Sequence, residues 1–334
     1  MNSASALMAH ELRPRIIERR ARLESVAGSL PAEYLSDLLA EIDSALQRID
    51  NGSFGLCETC HDTIERDRLE SNPLLRFCLD HLTEPEQRAH EQDLALATQI
   101  QTALLPRQHL TAGDWETHYR YEPAGVVGGD YCESVPSAHG DGLFFALGDV
   151  SGKGVAASLL MTHLSAILRS LLSLDLPLAE MMSRANRLFC EGSPATHFAT
   201  LAAGRAIGGD IELCNAGHCR PLLLRNNGET EQIDATGLPL GLFCEGRYAV
   251  RRFRLRPGDT LTLYSDGITE AQDADGNTYE EARLLACLRA HAGRDAVAMA
   301  DGIMRELGAF RGALPPHDDV TLLLVRRRPC EEAL

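Results

Sequence analysis

Four aspartate-centred motifs, spread from Asp130 to Asp319, constrain this chain more than any other feature. They read Val127-Gly128-Gly129-Asp130, Gly148-Asp149-Val150-Ser151-Gly152-Lys153-Gly154, Tyr264-Ser265-Asp266-Gly267 and Asp318-Asp319-Val320-Thr321. In each, an Asp stands at the end of an apolar strand beside glycine or another acid. Alone, any one of them reads more readily as a turn. Together they ask for a fold that gathers several strand ends, since carboxylates so gathered can hold two Mg²⁺ or Mn²⁺ ions about 3.5–4 Å apart. A water held between such ions loses a proton easily and can attack phosphorus in line, while the ions neutralise the phosphoryl oxygens. Gly152-Lys153-Gly154 lacks the spacing of a Walker phosphate loop.

The pattern around these motifs fits that demand. From residue 115 onward, short apolar strands alternate with turns, for example at 115–121, 143–147, 211–215, 222–224, 260–264 and 320–325. Helical stretches at 156–172 and 178–189 sit mid-domain, and two more at 280–290 and 296–307 lie toward the end. Strands grouped around helical pairs predict an α+β layered domain rather than a βαβ alternation.

Upstream the chain is helical. Residues 5–27 place Leu12, Ile16, Leu23 and Val26 near one face, and residues 32–49 carry the stripe Leu35, Leu38, Ile42, Leu46 and Ile49. The break at Gly28-Ser29-Leu30-Pro31 joins them into an antiparallel hairpin, since neither helix can bury its stripe alone. Thr83-Glu84-Pro85-Glu86 has the form of a capping box. The helix it opens carries Leu94, Ala97, Ile100 and Leu104, a stripe fit to dock on the next domain or to pair with a second subunit. The expected domains are 1–84, a linker helix 85–106, and 107–329.

Three of the ten cysteines cluster in Cys57-x2-Cys60-x17-Cys78-x2-His81. Two such knuckles close a tetrahedral site with no open position, which predicts one structural Zn²⁺ on Cys57, Cys60, Cys78 and His81, with His61 the alternative fourth ligand. A redox pair would leave Cys78 and His81 unexplained. The other seven (Cys132, Cys190, Cys214, Cys219, Cys244, Cys287 and Cys330) show no pattern and read as reduced, small apolar residues. Zinc-bound thiolates can also be oxidised, which makes a redox or metal sensor a further reading.

The net charge of −16 disfavours gripping a phosphate backbone, so no direct nucleic-acid partner is expected. No secretory leader is seen, and no apolar run has the length of a membrane span; residues 155–174 are interrupted by Ser158, Thr162, His163 and Arg169. A cytoplasmic protein without membrane contact is expected.

In their order, the aspartate motifs resemble those of the PPM-type serine/threonine protein phosphatases, specifically the bacterial SpoIIE/RsbU branch. The resemblance runs from about residue 99 to 327. It includes the helix Gln99-Ile100-Gln101-Thr102-Ala103-Leu104-Leu105-Pro106, the turn Asn215-Ala216-Gly217-His218, and Gly237-Leu238-Pro239-Leu240-Gly241. It implies an α-β-β-α sandwich with two Mn²⁺ or Mg²⁺ ions between the sheets. Asp149 would bridge both ions. Asp130 and the Val150 backbone carbonyl would complete one site, and Asp266 and Asp318 the other, with Asp319 the alternative to Asp318. The four aspartates would act through a metal-bridging water. The implied substrate is a phosphoserine or phosphothreonine protein, in this branch an anti-sigma-factor antagonist of a bacterial signalling pathway. The family often has two aromatics and then Asp after the first ligand; here the segment is Tyr131-Cys132-Glu133. His218 reads as a turn-shaping residue rather than a general acid. Lys153 reads either as a phosphate contact or as a helix-start residue.

The run from Ala45 to Cys60 (ALQRIDNGSFGLCETC), then Arg68-Leu69 and Phe77-Cys78, resembles the DksA/TraR zinc-finger family over about residues 5–82. Members with a long hairpin insert it into RNA polymerase. This makes a polymerase-binding regulator with a sensory phosphatase-like domain the alternative function. The short hairpin, whose tip at 28–35 lacks the acidic Asp-x-x-Asp-Ala signature, weighs against it. His81 also stands where Cys is usual. The module then serves to dimerise the chain or to receive a signal.

Overall fold

The computed structural model describes residues 3–25, 32–82, 84–137 and 142–329. The chain divides into two compact units, Met1–Asp93 and Leu94–Leu334.

The first unit opens with α1 (Ser3–Ser25) and α2 (Ala32–Asn51). Leu12 and Ile16 of α1 meet Ile42 and Ala45 of α2 in a core that also takes in Phe54, Cys57, Ile64, Leu69 and Cys78. The helical stripes are thus buried against each other and against the cysteine segment, because neither could form a core alone. Pro14 lies inside α1, where it removes one backbone hydrogen bond. Arg13–Asp50 and Arg20–Asp43 also link the two helices; being exposed, each contributes at most about 1 kcal/mol. Gly52 at φ 78° ends α2, with Ser53 N donating to Arg48 O at 2.9 Å. After it come α3 (Arg66–Ser71) and a 3₁₀ turn, Leu79–His81. The expected break at 28–31, Val26 and the cap Thr83 lie outside the described residues, as does Cys330. Helix α4 (Glu84–Leu104) runs across the division between the units.

The second unit pairs two antiparallel sheets. One has the order β1 (His109–Ala112), β2 (Trp115–Glu122), β11 (Val320–Arg327), β10 (Thr260–Tyr264), β7 (Leu222–Leu224), β8 (Thr230–Gln232). The other has the order β3 (Asp130–Pro136), β4 (Gly142–Val150), β5 (Ala199–Ile207), β6 (Asp210–Ala216), β9 (Arg251–Arg254). Three apolar layers follow from strand alternation. In β4, Leu143, Phe145 and Leu147 face the other sheet, meeting Leu261, Leu263, Leu323 and Val325. Phe144 and Ala146 point the opposite way, onto α5 (Gly154–Leu172) and α6 (Leu178–Gly192). On the far side, Leu322 and Leu324 of β11 pack under α8 (Glu280–Ala290) and α9 (Ala296–Arg311). The layers are helices, sheet, sheet, helices. Strands buried on both faces explain why GLFFAL and TLLLV read as continuous apolar runs rather than alternating ones. Phe145 is fully buried, and its truncation to Ala costs about 3–5 kcal/mol.

Two expectations need correction. Among the described residues α5 does have the length and mean apolarity of a membrane span. Its Leu164, Ile167, Leu168 and Leu171 instead pack on the five-stranded sheet, and Arg169 pairs with the buried Glu133 at 2.7 Å. The scattered cysteines are also not all free: Cys190, near the end of α6, is disulfide-bonded to Cys244, with Cα atoms 5.6 Å apart and a sequence separation of 54. Local spacing could not reveal this, because the pairing depends on the loop after Leu240 folding back over α6. There Asn186 Nδ2 donates to Phe243 O and Cys244 O.

Candidate functional site

Register brings the acids together. Asp130 lies directly opposite Asp149 across β3 and β4. In the facing sheet Tyr264 is opposite Leu322. Asp266, at the start of α7 (Asp266–Thr269), and Asp318-Asp319, just before β11, therefore flank the corresponding strand ends. The sheets are joined here by a hydrogen bond from Thr321 Oγ1 to Asp130 Oδ2. Ser265 Oγ donates to Asp319 O at 2.9 Å and accepts from Thr321 N at 2.8 Å.

The last two aspartates have different tasks. Asp319 is buried, and its carboxylate accepts Ala124 N at 2.8 Å and Gly129 N at 2.6 Å. It fastens the loop before Asp130. Asp318 is more open and meets Lys153 Nζ at 2.9 Å. The loop that Asp319 fastens is held from the other side by Gln101 of α4, whose amide donates to Gly128 O at 2.7 Å and accepts from Gly128 N at 3.1 Å. A Cβ on Gly128 would overlap Asp319 and Tyr121, and one on Gly267 would overlap the Asp319 backbone. Glycine permits these close approaches. Val150, fully buried, donates its N–H to Gly129 O at 3.3 Å, and its carbonyl oxygen faces Gly129.

Burial and mutual repulsion make this an unstable set of charges. Asp130 is held well above its ordinary value by desolvation first and by Asp149 next. Asp149 is pushed up to about 7, by desolvation and then by Asp266, Asp318 and Asp319. Asp266 rises for the same reason, with Glu270 and Asp318 the repelling neighbours. Oxygen donors that repel one another in a partly buried cleft fit hard divalent cations, which need anionic oxygens and relieve the repulsion. Cys219 does not join them: burial and the same acids push its thiol up to about 12. His218 is structural in this arrangement. Its N–H donates to Asn215 Oδ1 at 2.8 Å, its ring Nδ1 lies 2.8 Å from Thr200 Oγ1, and burial lowers its pKa to about 4.

The first unit holds the second cluster. One ligand atom each from Cys57, Cys60, Cys78 and His81 lies within 4.8 Å of all the others. Cys60 Sγ is 3.8 Å from Cys78 Sγ, which is 3.2 Å from His81 Nδ1. A tetrahedron with Zn–S bonds of about 2.3 Å has S···S edges of about 3.8 Å. Desolvation raises Cys57, but backbone N–H groups of Cys60, Cys78 and Thr59 bring it down to about 6. Cys60 receives the Asp62 N–H, yet desolvation and the sulfurs of Cys57 and Cys78 push it up to about 11. A cation among the sulfurs would remove that conflict. His61 is exposed, at φ 61°, and is not among the four clustered residues.

Three supporting side chains had no assigned role in the sequence reading: Thr321, Gln101 and Ser265. Thr321 offered a signal, as the one hydroxyl in the apolar run 320–325. Gln101 offered a weaker one, beside the apolar stripe of its helix.

Comparison with known proteins bears on the second unit. The family profile of Stage II sporulation protein E (SpoIIE) matches residues 139–328. Protein IcfG of Synechocystis is 26% identical over 265 residues, covering 70% of this chain and 41% of that protein. Phosphoserine phosphatase RsbU of Bacillus subtilis is 27% identical over 209 residues, covering 62% of this chain and 61% of its own. The chain thus spans less than two thirds of either relative. The SiaA-PP2C domain of Pseudomonas aeruginosa superposes with a TM-score of 0.63 at 20% identity, over 73% of this chain and 99% of that domain, which establishes a shared fold.

Proposed function

Because the chain belongs to the SpoIIE family, we propose that its second unit is a metal-dependent phosphatase acting on phosphoserine or phosphothreonine of a partner protein in a bacterial signalling pathway. The observation that carries this reading is the convergence of Asp130, Asp149, Asp266 and Asp318 from four separate strand ends of two sheets, where burial first and neighbouring carboxylates next drive up the pKa values of Asp130, Asp149 and Asp266. Asp149, facing Asp130 on one side and repelled by Asp266 and Asp318 on the other, would be the carboxylate that both ions draw on. Asp130 and the Val150 carbonyl fit the first position, and Asp266 with Asp318 the second. Asp319 is better suited to fastening the Gly128–Gly129 loop, since both its oxygens already accept backbone N–H groups. When bound, Mn²⁺ or Mg²⁺ supplies activation of water near neutral pH and neutralises phosphoryl charge. The chain's own part is to hold the four carboxylates in place, with Thr321 on Asp130 and Gln101 and Asp319 on the adjoining loop.

The substrate we infer, from the resemblance to the RsbU branch, is a phosphorylated anti-sigma-factor antagonist. In the first unit Cys57, Cys60, Cys78 and His81 would hold one structural Zn²⁺ in a DksA/TraR-like module. That module would regulate the phosphatase domain, with residues 1–84, 85–106 and 107–329 acting as module, linker and catalytic domain. Pairing of two copies through the helices is part of the same proposal, and so is a cytoplasmic location. The test is release of phosphate from a phosphoserine protein by the full chain with Mn²⁺, with Mg²⁺ and with EDTA, alongside its zinc content. Activity in the first two and none in the third supports the reading; phosphate release that EDTA leaves intact refutes it.

A further inference from the structure

The acidic cluster carries its own cation. Lys153 Nζ lies 2.9 Å from Asp318 Oδ2 and donates to the His317 carbonyl at 2.9 Å. Asp318 is the carboxylate proposed for the second metal position, so ammonium and metal would compete for one carboxylate.

Lys153 is free to change partners. Its side chain is 61% exposed. It caps α5 in extended conformation, with no side-chain hydrogen bond to the helix. The glycines on either side, Gly152 at φ 105° and Gly154 at φ 71°, sit in open space where a Cβ would meet nothing within 4 Å. Beside the ion pair lies a cavity of about 250 Å³, bordered by Val127, Lys153, Gly154, His317 and Asp318. A lysine ammonium is a compact point charge on a flexible stem, suited to moving between two anions. A phosphomonoester brings about −1.5 to −2 charges into a cleft already lined with carboxylates, and needs a cation to meet it.

We propose that Lys153 is an exchangeable counter-ion: it holds Asp318 when no metal does, cedes that carboxylate to a divalent cation, and then presents its ammonium to the phosphoryl group in the adjacent cavity. This rests on the phosphatase reading above and adds a substrate-contacting residue to it.

The test compares the full chain with Lys153→Met and Lys153→Arg. Mn²⁺ is first titrated calorimetrically without substrate. Inhibition of p-nitrophenyl phosphate hydrolysis by inorganic phosphate is then measured at saturating Mn²⁺. Losing a charge-assisted contact on each side shifts both constants by about tenfold. Lys153→Met should bind Mn²⁺ more tightly at the position that includes Asp318, and phosphate should inhibit it less. KM should rise more than kcat falls. Lys153→Arg, which keeps the charge, should restore phosphate inhibition. Unchanged Mn²⁺ affinity or unchanged phosphate inhibition in Lys153→Met overturns the proposal while leaving the phosphatase reading intact. A wild-type chain that binds no Mn²⁺ and hydrolyses nothing overturns both.

Discussion

The cysteine cluster takes its ligands from residues 57 to 81, two knuckles joined by a short stretch of chain. The carboxylate cluster takes its own from residues 130 to 318, and every one depends on two sheets facing each other in register. The first is compact, sulfur-rich and closed. The second is hard, oxygen-only and borders a cavity. A closed tetrahedral set suits a structural ion, whose binding supplies folding energy to a small core. An open carboxylate set that resists full ionisation suits a catalytic pair, which must exchange solvent and substrate. Stability of one unit should therefore follow its metal, whereas activity of the other should.

The largest effect expected is on the first unit. Structural zinc in small modules is worth about 10–16 kcal/mol, more than a hairpin of this size can replace. Cys57→Ser should lose zinc and unfold residues 1–83, seen as lost helical signal and rapid proteolysis there, with the second unit still resistant. A first unit that stays folded without zinc would erase the contrast.

Next, Thr321→Val removes the hydroxyl that donates to Asp130. Groups that orient metal ligands are worth about 10–100-fold, so Mn²⁺-dependent activity should fall by that much, alongside a stability loss of about 1–3 kcal/mol from the unpaired Asp130 oxygen. Asp319→Asn separates fastening from ligation. Replacing one accepting oxygen by NH₂ leaves a backbone N–H of Ala124 or Gly129 unpaired, costing about 1–3 kcal/mol of stability. Calorimetry should still count two Mn²⁺ ions; a count of one would make Asp319 a ligand.

The smallest effect is that of pH. Asp149 stands at about 7 in the metal-free fold, against 3.8 unfolded. Between those values the native state binds more protons than the unfolded one, so this group's contribution to stability declines as pH rises from about 4 to 7. A metal needs the carboxylate ionised, so Mn²⁺ affinity should rise with pH up to about 7 and then level off. Titrations in buffers of different ionisation heat should show proton release on binding at pH 6. A flat affinity from pH 5.5 to 8 would contradict the crowding of the acids.

The same contrast explains what the sequence disclosed. Cys57, Cys60, Cys78 and His81 were legible because their geometry is local: two CxxC-like spacings state the site. Asp130, Asp149, Asp266 and Asp318 were legible because glycine or a second acid stands beside each at an apolar strand end. The layered architecture showed in the doubly buried runs of β4 and β11. What stayed hidden depended on register or on distant contacts. The role of Thr321 appears only once β11 faces β3. Gln101 reaches Gly128 across 27 residues. Cys190 finds Cys244 only because a loop folds over α6. The split between Asp318 and Asp319, adjacent in sequence and identical in type, follows from one side chain turning inward to the N–H groups of Ala124 and Gly129 and the other outward, accepting the Asp319 N–H on one oxygen and Lys153 on the other.

The most direct measurement is hydrolysis of p-nitrophenyl phosphate across a Mn²⁺ titration, for the full chain and for Asp149→Asn. A two-metal phosphatase gives Mn²⁺-dependent turnover in the wild type and a loss of at least about a hundredfold in the variant, with the melting temperature of the metal-free variant preserved or raised by removal of a crowded charge. An Asp149→Asn chain that keeps full Mn²⁺-dependent activity would show that the shared carboxylate, and with it the two-ion centre, is not what this protein uses.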